Sequence, residues 1–169
     1  LESFNIESLE YISNSPFAEQ YIEKLRARYS FILSENYKGQ IKFTDFFKNF
    51  ILQRAKFSEN QNTFLSIKRK AAKYFLKKYD YESAVNYYLA SKDYKDLIPI
   101  ITKKYPELIR NGDLHVIDKW LKLIPDEIFI LYPVLKYLKG LNLKHYYLNF
   151  SESINTFEEY LKYTSGVSE

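Results

Sequence analysis

The chain contains no cysteine and no methionine among its 169 residues, and only four glycines and five prolines. The missing cysteine excludes disulfide staples, thiolate zinc sites and thiol catalysis, and it fits a reducing cytoplasm. Scarce Gly and Pro argue against an all-β sandwich or barrel, which needs frequent turn punctuation, and so favour helices. The two histidines, His115 and His145, lack the i,i+4 spacing to a second His that a metal site would use. No apolar run approaches membrane-spanning length and no signal peptide is visible, so no membrane partner is expected.

The charge is also unremarkable in pattern. The net value is +4, but the lysines are spread among carboxylates with no basic block, as on a solvated surface. There is no Gly-x-x-x-x-Gly-Lys loop, no Gly-x-Gly-x-x-Gly and no Gly-x-Ser-x-Gly elbow. Acidic pairs such as Asp126-Glu127 and Glu158-Glu159 sit at helix starts or surfaces, where nothing marks a catalytic pocket. No catalytic residue and no metal ligand is expected, and the chain is read as a non-enzyme.

Apolar residues are plentiful at 46%, with 17 Tyr and 13 Phe, enough for a core in which Tyr replaces Leu and keeps its hydroxyl at the edge. Their spacing divides the chain. Helices are expected over about 5–13 and 17–29, the second on the stripe Phe17, Tyr21, Leu25 and Tyr29 after Pro16. Ser30–Ser34 reads as a strand, Glu35–Gly39 as a turn and Gln40–Phe43 as the return strand. Thr44 then N-caps a helix with the stripe Phe46, Phe47, Phe50 and Ile51. Two helices, a hairpin and a helix outline a winged-helix-like module over 1–57; an irregular α+β subdomain fits the pattern equally.

The polar stretch Ser58–Asn62 is expected to be a linker, and everything beyond it helical. Residues 63–78 carry Phe64, Ile67, Ala71, Phe75 and Lys78 on one face, and residues 81–91 carry Tyr81, Ala84, Val85, Tyr88 and Leu89. Asp80-Tyr81 and Asp93-Tyr94 repeat one turn, with each Asp placed to cap the following helix. Such hairpins bury their second faces only by stacking. The match to a tetratricopeptide repeat is partial, because the first-helix Trp position falls at Lys68. Pro99 is expected to delay or kink the third helix, and Pro106 to start a separate short one ending at Asn111-Gly112. Further pieces open at Asp113, Pro125-Asp126, Pro133 and Ser151. The expected fold is mainly α: the 1–57 module with its β-hairpin, then a TPR-like αα-hairpin solenoid over 58–169.

Three segments together resemble one family. SFILSENYKGQIKFTDFFKNFILQR (30–54), AAKYFLKKYDYESAVNYYLASKDYKDL and NGDLHVIDKWLKLIPDEIFILYPVL are similar to the winged helix and first helical hairpins of MalT-like, LuxR-type transcriptional regulators built on a signal-transducing ATPase. The resemblance covers nearly the whole chain, and its motifs are moderately specific. It implies a fragment of a longer cytoplasmic regulator, in keeping with a start at Leu1-Glu2. ATP or ADP would be held in an upstream module and not by this chain, an effector or protein would bind the helical region, and the rest of the parent chain would be a partner. The family usually carries a His pair, one able to contact a nucleotide phosphate, where this chain has Thr44 and Asp45. A carboxylate there would repel phosphate, so these two residues are expected to cap and charge a helix start instead. Tyr87, Tyr146 and Tyr147, off the main stripes, are the candidate effector or partner surface. Alternatives are direct DNA binding by the helix carrying Lys24, Arg26 and Arg28, or a plain helical-repeat adaptor.

Overall fold

A computed structural model describes residues 3–36, 39–57 and 61–165. Among these, the protein is mainly helical with one two-stranded antiparallel sheet. Contacts divide the chain into two compact units, Leu1–Lys92 and Asp93–Glu169. The part of the expected linker at 58–60, and Tyr37 and Lys38 of the expected turn, lie outside the described residues.

The first unit starts with α1 (Ile6–Ser13) and α2 (Ala18–Arg28). Asn5 and Ser8 close a reciprocal capping box on α1: Ser8 N donates to Asn5 Oδ1 at 2.8 Å and Asn5 N to Ser8 Oγ at 3.0 Å. Residues Ser30–Ile32 form a 3₁₀ turn, so the first strand, β1 (Leu33–Glu35), is shorter than expected and starts later. β1 pairs with β2 (Ile41–Phe43) in the register Leu33↔Phe43 and Glu35↔Ile41. Phe4 bridges the other edge of β2 through two backbone bonds with Ile41, of 2.9 and 2.7 Å. This brings Phe4, Ile22 and Ile41 into one buried cluster.

The inward face of α2 is not the predicted aromatic stripe. Ala18 and Ile22 are buried, while Phe17, Tyr21 and Tyr29 are exposed and only Leu25 is shared. The aliphatic i,i+4 pair lies one position further along the helix, and its Ile22 packs with Phe4 and Ile41 at the small sheet. α3 (Asp45–Phe57) departs similarly. Phe47 turns inward against Phe43 at 5.4 Å between ring centroids, whereas Phe46 is 84% exposed and Phe50 and Ile51 are half exposed.

α4 (Gln61–Lys77) begins inside the expected linker, and α5 (Tyr81–Ser91) has the bounds the sequence implies. The pair packs through fully buried Ala71, Ala72, Ala84 and Val85. These small side chains let two helix axes approach closely. Phe75 and Tyr87 stack with planes 2° apart at 5.4 Å. At Lys68, where the repeat pattern wants Trp, the ammonium donates to the Ala90 carbonyl at 3.0 Å, near the negative end of α5. α1 packs on α4, with Lys78 Nζ 2.6 Å from Glu7 Oε1.

In the second unit, α6 (Tyr94–Asn111) runs unbroken through both prolines. Pro99 and Pro106 are exposed and stand two turns apart on one face. The carbonyls of Lys95 and Thr102, which each proline leaves without an i+4 donor, therefore meet water instead of core. The expected break at Pro106 is absent for that reason. α7 (Leu114–Lys122), the short α8 (Asp126–Leu131), α9 (Val134–His145) and α10 (Phe150–Ser165) follow. α9 touches all the other helices of the unit. α10 starts at Phe150 with Asn149 as its cap, Glu152 N donating to Asn149 Oδ1 at 3.2 Å, one residue before the expected Ser151.

Three helix junctions use one device. Tyr79, Lys92 and Gly112 are left-handed (φ 61°, 56° and 79°), and an Asp follows each. Left-handed residues close a helix by turning the chain out of its path. Only Asp80 then caps with its side chain, accepting from Ser83 N at 3.0 Å; Asp93 and Asp113 occupy the cap position without that bond.

Candidate functional site

The residues with the clearest chemical organisation line a cleft of about 540 Å³ in the second unit, a size ordinary for small-molecule sites. Its floor is apolar: Leu121 of α7, Ile124 after it, Phe129 of α8 and Leu143 of α9, all buried. Trp120 and Ile117, also buried, belong to the amphipathic stripe of α7 that holds these elements together.

On one wall Asp118 gathers three donors. Tyr147 O–H donates to Oδ1 at 2.8 Å, Asn142 Nδ2 donates to the same oxygen at 3.1 Å, and Lys122 Nζ lies 2.7 Å from Oδ2. Lys122 also donates to the Tyr147 oxygen at 2.8 Å. Burial pushes the Asp118 carboxyl up, but the bonds from Lys122, Tyr147 and Asn142 and the charge of Lys122 outweigh it and hold it below the usual carboxylate range. Lys122 moves the other way, raised by its bonds to Asp118 and Tyr147. Asp118 is therefore a carboxylate whose proton-accepting capacity is already spent on structure.

Asn142 is the unusual member. It is 4% exposed, its Nδ2 is fixed on Asp118, and its Oδ1 has no hydrogen-bond partner. Asp126, Lys139 and Glu152 also line the cleft, and Glu152 accepts from Asn149 Nδ2 at 2.8 Å.

No family model matches this sequence, and comparison with curated proteins and with solved structures likewise gives no match.

The candidate residues read from the sequence fall in different places. Tyr147 is in the Asp118 cluster, and Tyr146 packs edge-on against it at 4.9 Å. Tyr87 belongs to the first unit, where its stack on Phe75 leaves it partly buried, beside a polar-lined cleft that also includes Ser83, Asn86 and Tyr74. Thr44 and Asp45 stand at the start of α3 with Asp45 exposed, and Lys42 Nζ lies 3.6 Å from its carboxylate. His115 is exposed. Among the described residues no three His, Asp or Glu side chains group as metal ligands, and no helix is long and apolar enough to cross a membrane.

Sequence reading missed Asp118, Asn142 and Glu152. Their only signal is polar residues set into helices otherwise rich in apolar positions, and Asp118 and Asn142 are 24 residues apart.

Proposed function

We propose that this chain is a non-catalytic regulatory segment of a MalT-like, LuxR-type transcriptional regulator. In that reading, residues 1–57 are a winged-helix relay next to an ATP-binding module supplied elsewhere in the parent. The helices from 58 onward begin a TPR-like region that receives an effector or a protein. Binding acts by differential affinity for two states of the parent, the only way a ligand shifts such an equilibrium.

The observation that carries the reading is the second unit's cleft, which has an apolar floor and a carboxylate cluster already saturated with donors. Such a site is equipped to hold a molecule, and its Asp118 is poorly equipped to take a proton from one. The order of helix, helix, hairpin and helix up to Phe57, with Phe4 added to the sheet edge, supports the winged-helix part of the reading. The family assignment rests on the sequence resemblance.

Direct DNA binding by α2 is the weaker reading. Arg26, central to its basic face, is engaged by Glu23 at 3.0 Å and Glu35 at 2.5 Å, leaving less positive charge for phosphates.

Two experiments test the proposal. The gene on both sides of this stretch should encode a phosphate-loop motif upstream and a helix-turn-helix downstream; joint absence of both refutes the family reading and leaves a plain adaptor. In a low-salt mobility assay with duplex DNA, the chain should not bind; tight binding that weakens steeply with salt would replace the relay reading with the DNA-binding one.

A further inference from the structure

We infer that the exposed face of α4 is a docking surface for an acidic amphipathic helix of a protein partner, one that sets carboxylates at i, i+3 and i+7 beside an apolar shoulder. The inference is independent of the cleft in the second unit and of any particular parent chain.

The even mixing of charge expected from the sequence breaks at this helix. α4 carries Lys68, Arg69, Lys70, Lys73 and Lys77 and no acidic residue, and Lys78 follows it. Packing sorts these cations. Lys68 turns toward α5, donating to the Ala90 carbonyl at 3.0 Å, and Lys78 turns toward α1, 2.6 Å from Glu7 Oε1. Arg69, Lys70, Lys73 and Lys77 are exposed. At about 100° per residue these four positions share one arc of about 100°, away from the buried Ala71 and Ala72. They run about 12 Å along the axis at a rise of about 1.5 Å per residue. A second helix has the same rise, so carboxylates at i, i+3 and i+7 fall opposite Lys70, Lys73 and Lys77.

Two features favour an acidic helix over a nucleic acid. α1 and α5, which both pack on α4, carry Glu7, Glu10 and Glu82 and no basic residue. The positive face is therefore bounded on its α1 side, where a duplex laid along α4 would press phosphates toward Glu7 and Glu10. A helix only about 10 Å across can meet the strip alone. The same side also carries an apolar shoulder. Tyr74 packs on Tyr11 of α1 at 5.6 Å, and Ile67 lies two turns before Tyr74 on the same stripe. Ile67 and Tyr11 are 45% and 41% exposed, and Lys77 Nζ lies 5.8 Å from the centre of the Tyr11 ring. Ile67 offers nothing to a phosphate backbone, whereas the apolar flank of an amphipathic helix covers it.

The test is fluorescence anisotropy of the 169-residue protein with three labelled probes at low salt. They are a short helical peptide with Glu at i, i+3 and i+7 and Leu on the adjoining face, a scrambled peptide of the same composition, and a short DNA duplex. The ordered peptide should bind saturably and weaken as salt rises, the scrambled one should bind more weakly, and the duplex not measurably. Lys70→Gln, Lys73→Gln and Lys77→Gln together should weaken the ordered peptide about tenfold. Lys95→Gln, Lys103→Gln and Lys162→Gln, an equal loss of charge at exposed positions of the second unit, should leave it unchanged. If the α4 triple variant does not fold, Ile67→Ser serves instead: it keeps the charge and should weaken the ordered peptide about fivefold. Failure of the ordered peptide to bind, equal binding of the scrambled peptide or the duplex, or an affinity lowered alike by both triple variants or unmoved by Ile67→Ser overturns the inference. Gene context decides the regulatory reading separately, so either can fail alone.

Discussion

The Tyr147 hydroxyl donates to Asp118 Oδ1 at 2.8 Å, joining the turn after α9 to the middle of α7 across 29 residues of chain. That bond, with those from Asn142 and Lys122, holds one wall of the cleft and makes its integrity sensitive to acid. The folded carboxyl lies below the ordinary Asp value of 3.8. Its contribution to stability is therefore complete above that value and is lost as pH falls through the lower, folded one. The Lys122 ammonium is 66% exposed against 14% for the Asp118 side chain, so water screens much of the pair's attraction and the carboxylate's bonds carry the effect. Urea denaturation of Asp118→Asn should show a flatter acid limb than the parent chain. Tyr147→Phe, removing one half-exposed donor, should cost about 1 kcal/mol at neutral pH.

Gly140 is where α9 admits α10. A Cβ built there would lie 2.6 Å from Phe157 Cε1 and 2.8 Å from Cδ1, closer than real contacts allow. Next to it, Ser153 Oγ donates to the Gly140 carbonyl at 2.8 Å in a buried position. Alanine would gain about 1 kcal/mol of helix propensity, but displacing the ring costs about 1–3 kcal/mol. We expect Gly140→Ala to lower the thermal midpoint, and Phe157→Leu in the same chain to recover part of the loss, a coupling that a double-mutant cycle reads directly.

Tyr105 presents the reverse case, a buried group whose removal should help. It is 3% exposed, its hydroxyl has no partner, and burial pushes its pKa up. Tyr105→Phe keeps the ring and deletes the unsatisfied hydroxyl, so stability should rise by about 1 kcal/mol. Chemical denaturation checks this; a loss of similar size would mean that the hydroxyl has a bonding partner in solution.

Much of the helical frame was legible because local chemistry fixes it. Asp80 caps α5 and Lys92 ends it, so the predicted 81–91 matches. Gly112 ends α6 as its sequence suggests. The break expected at Pro106 failed because a proline's effect depends on what its freed carbonyl faces, and exposure is not written in the local sequence. The stripe on α2 failed for a related reason: two i,i+4 sets were available, and tertiary packing buried Ala18 and Ile22, the latter against Ile41 of the sheet. The cleft was least legible. Tyr147 drew notice as an aromatic off the stripe and Asn142 lies five residues before it, yet their shared partner Asp118 is on α7, and only the packing of α7 on α9 brings the three polar groups to one point.

The central claim is that Asp118 in the second unit's cleft is a carboxylate saturated with donors from Tyr147, Asn142 and Lys122. An acid titration followed by NMR at the Asp118 side-chain carboxyl carbon tests it most directly. The expected midpoint lies below the ordinary Asp value of 3.8 and moves up in Tyr147→Phe. A midpoint at or above the ordinary value, unmoved by that substitution, would contradict it.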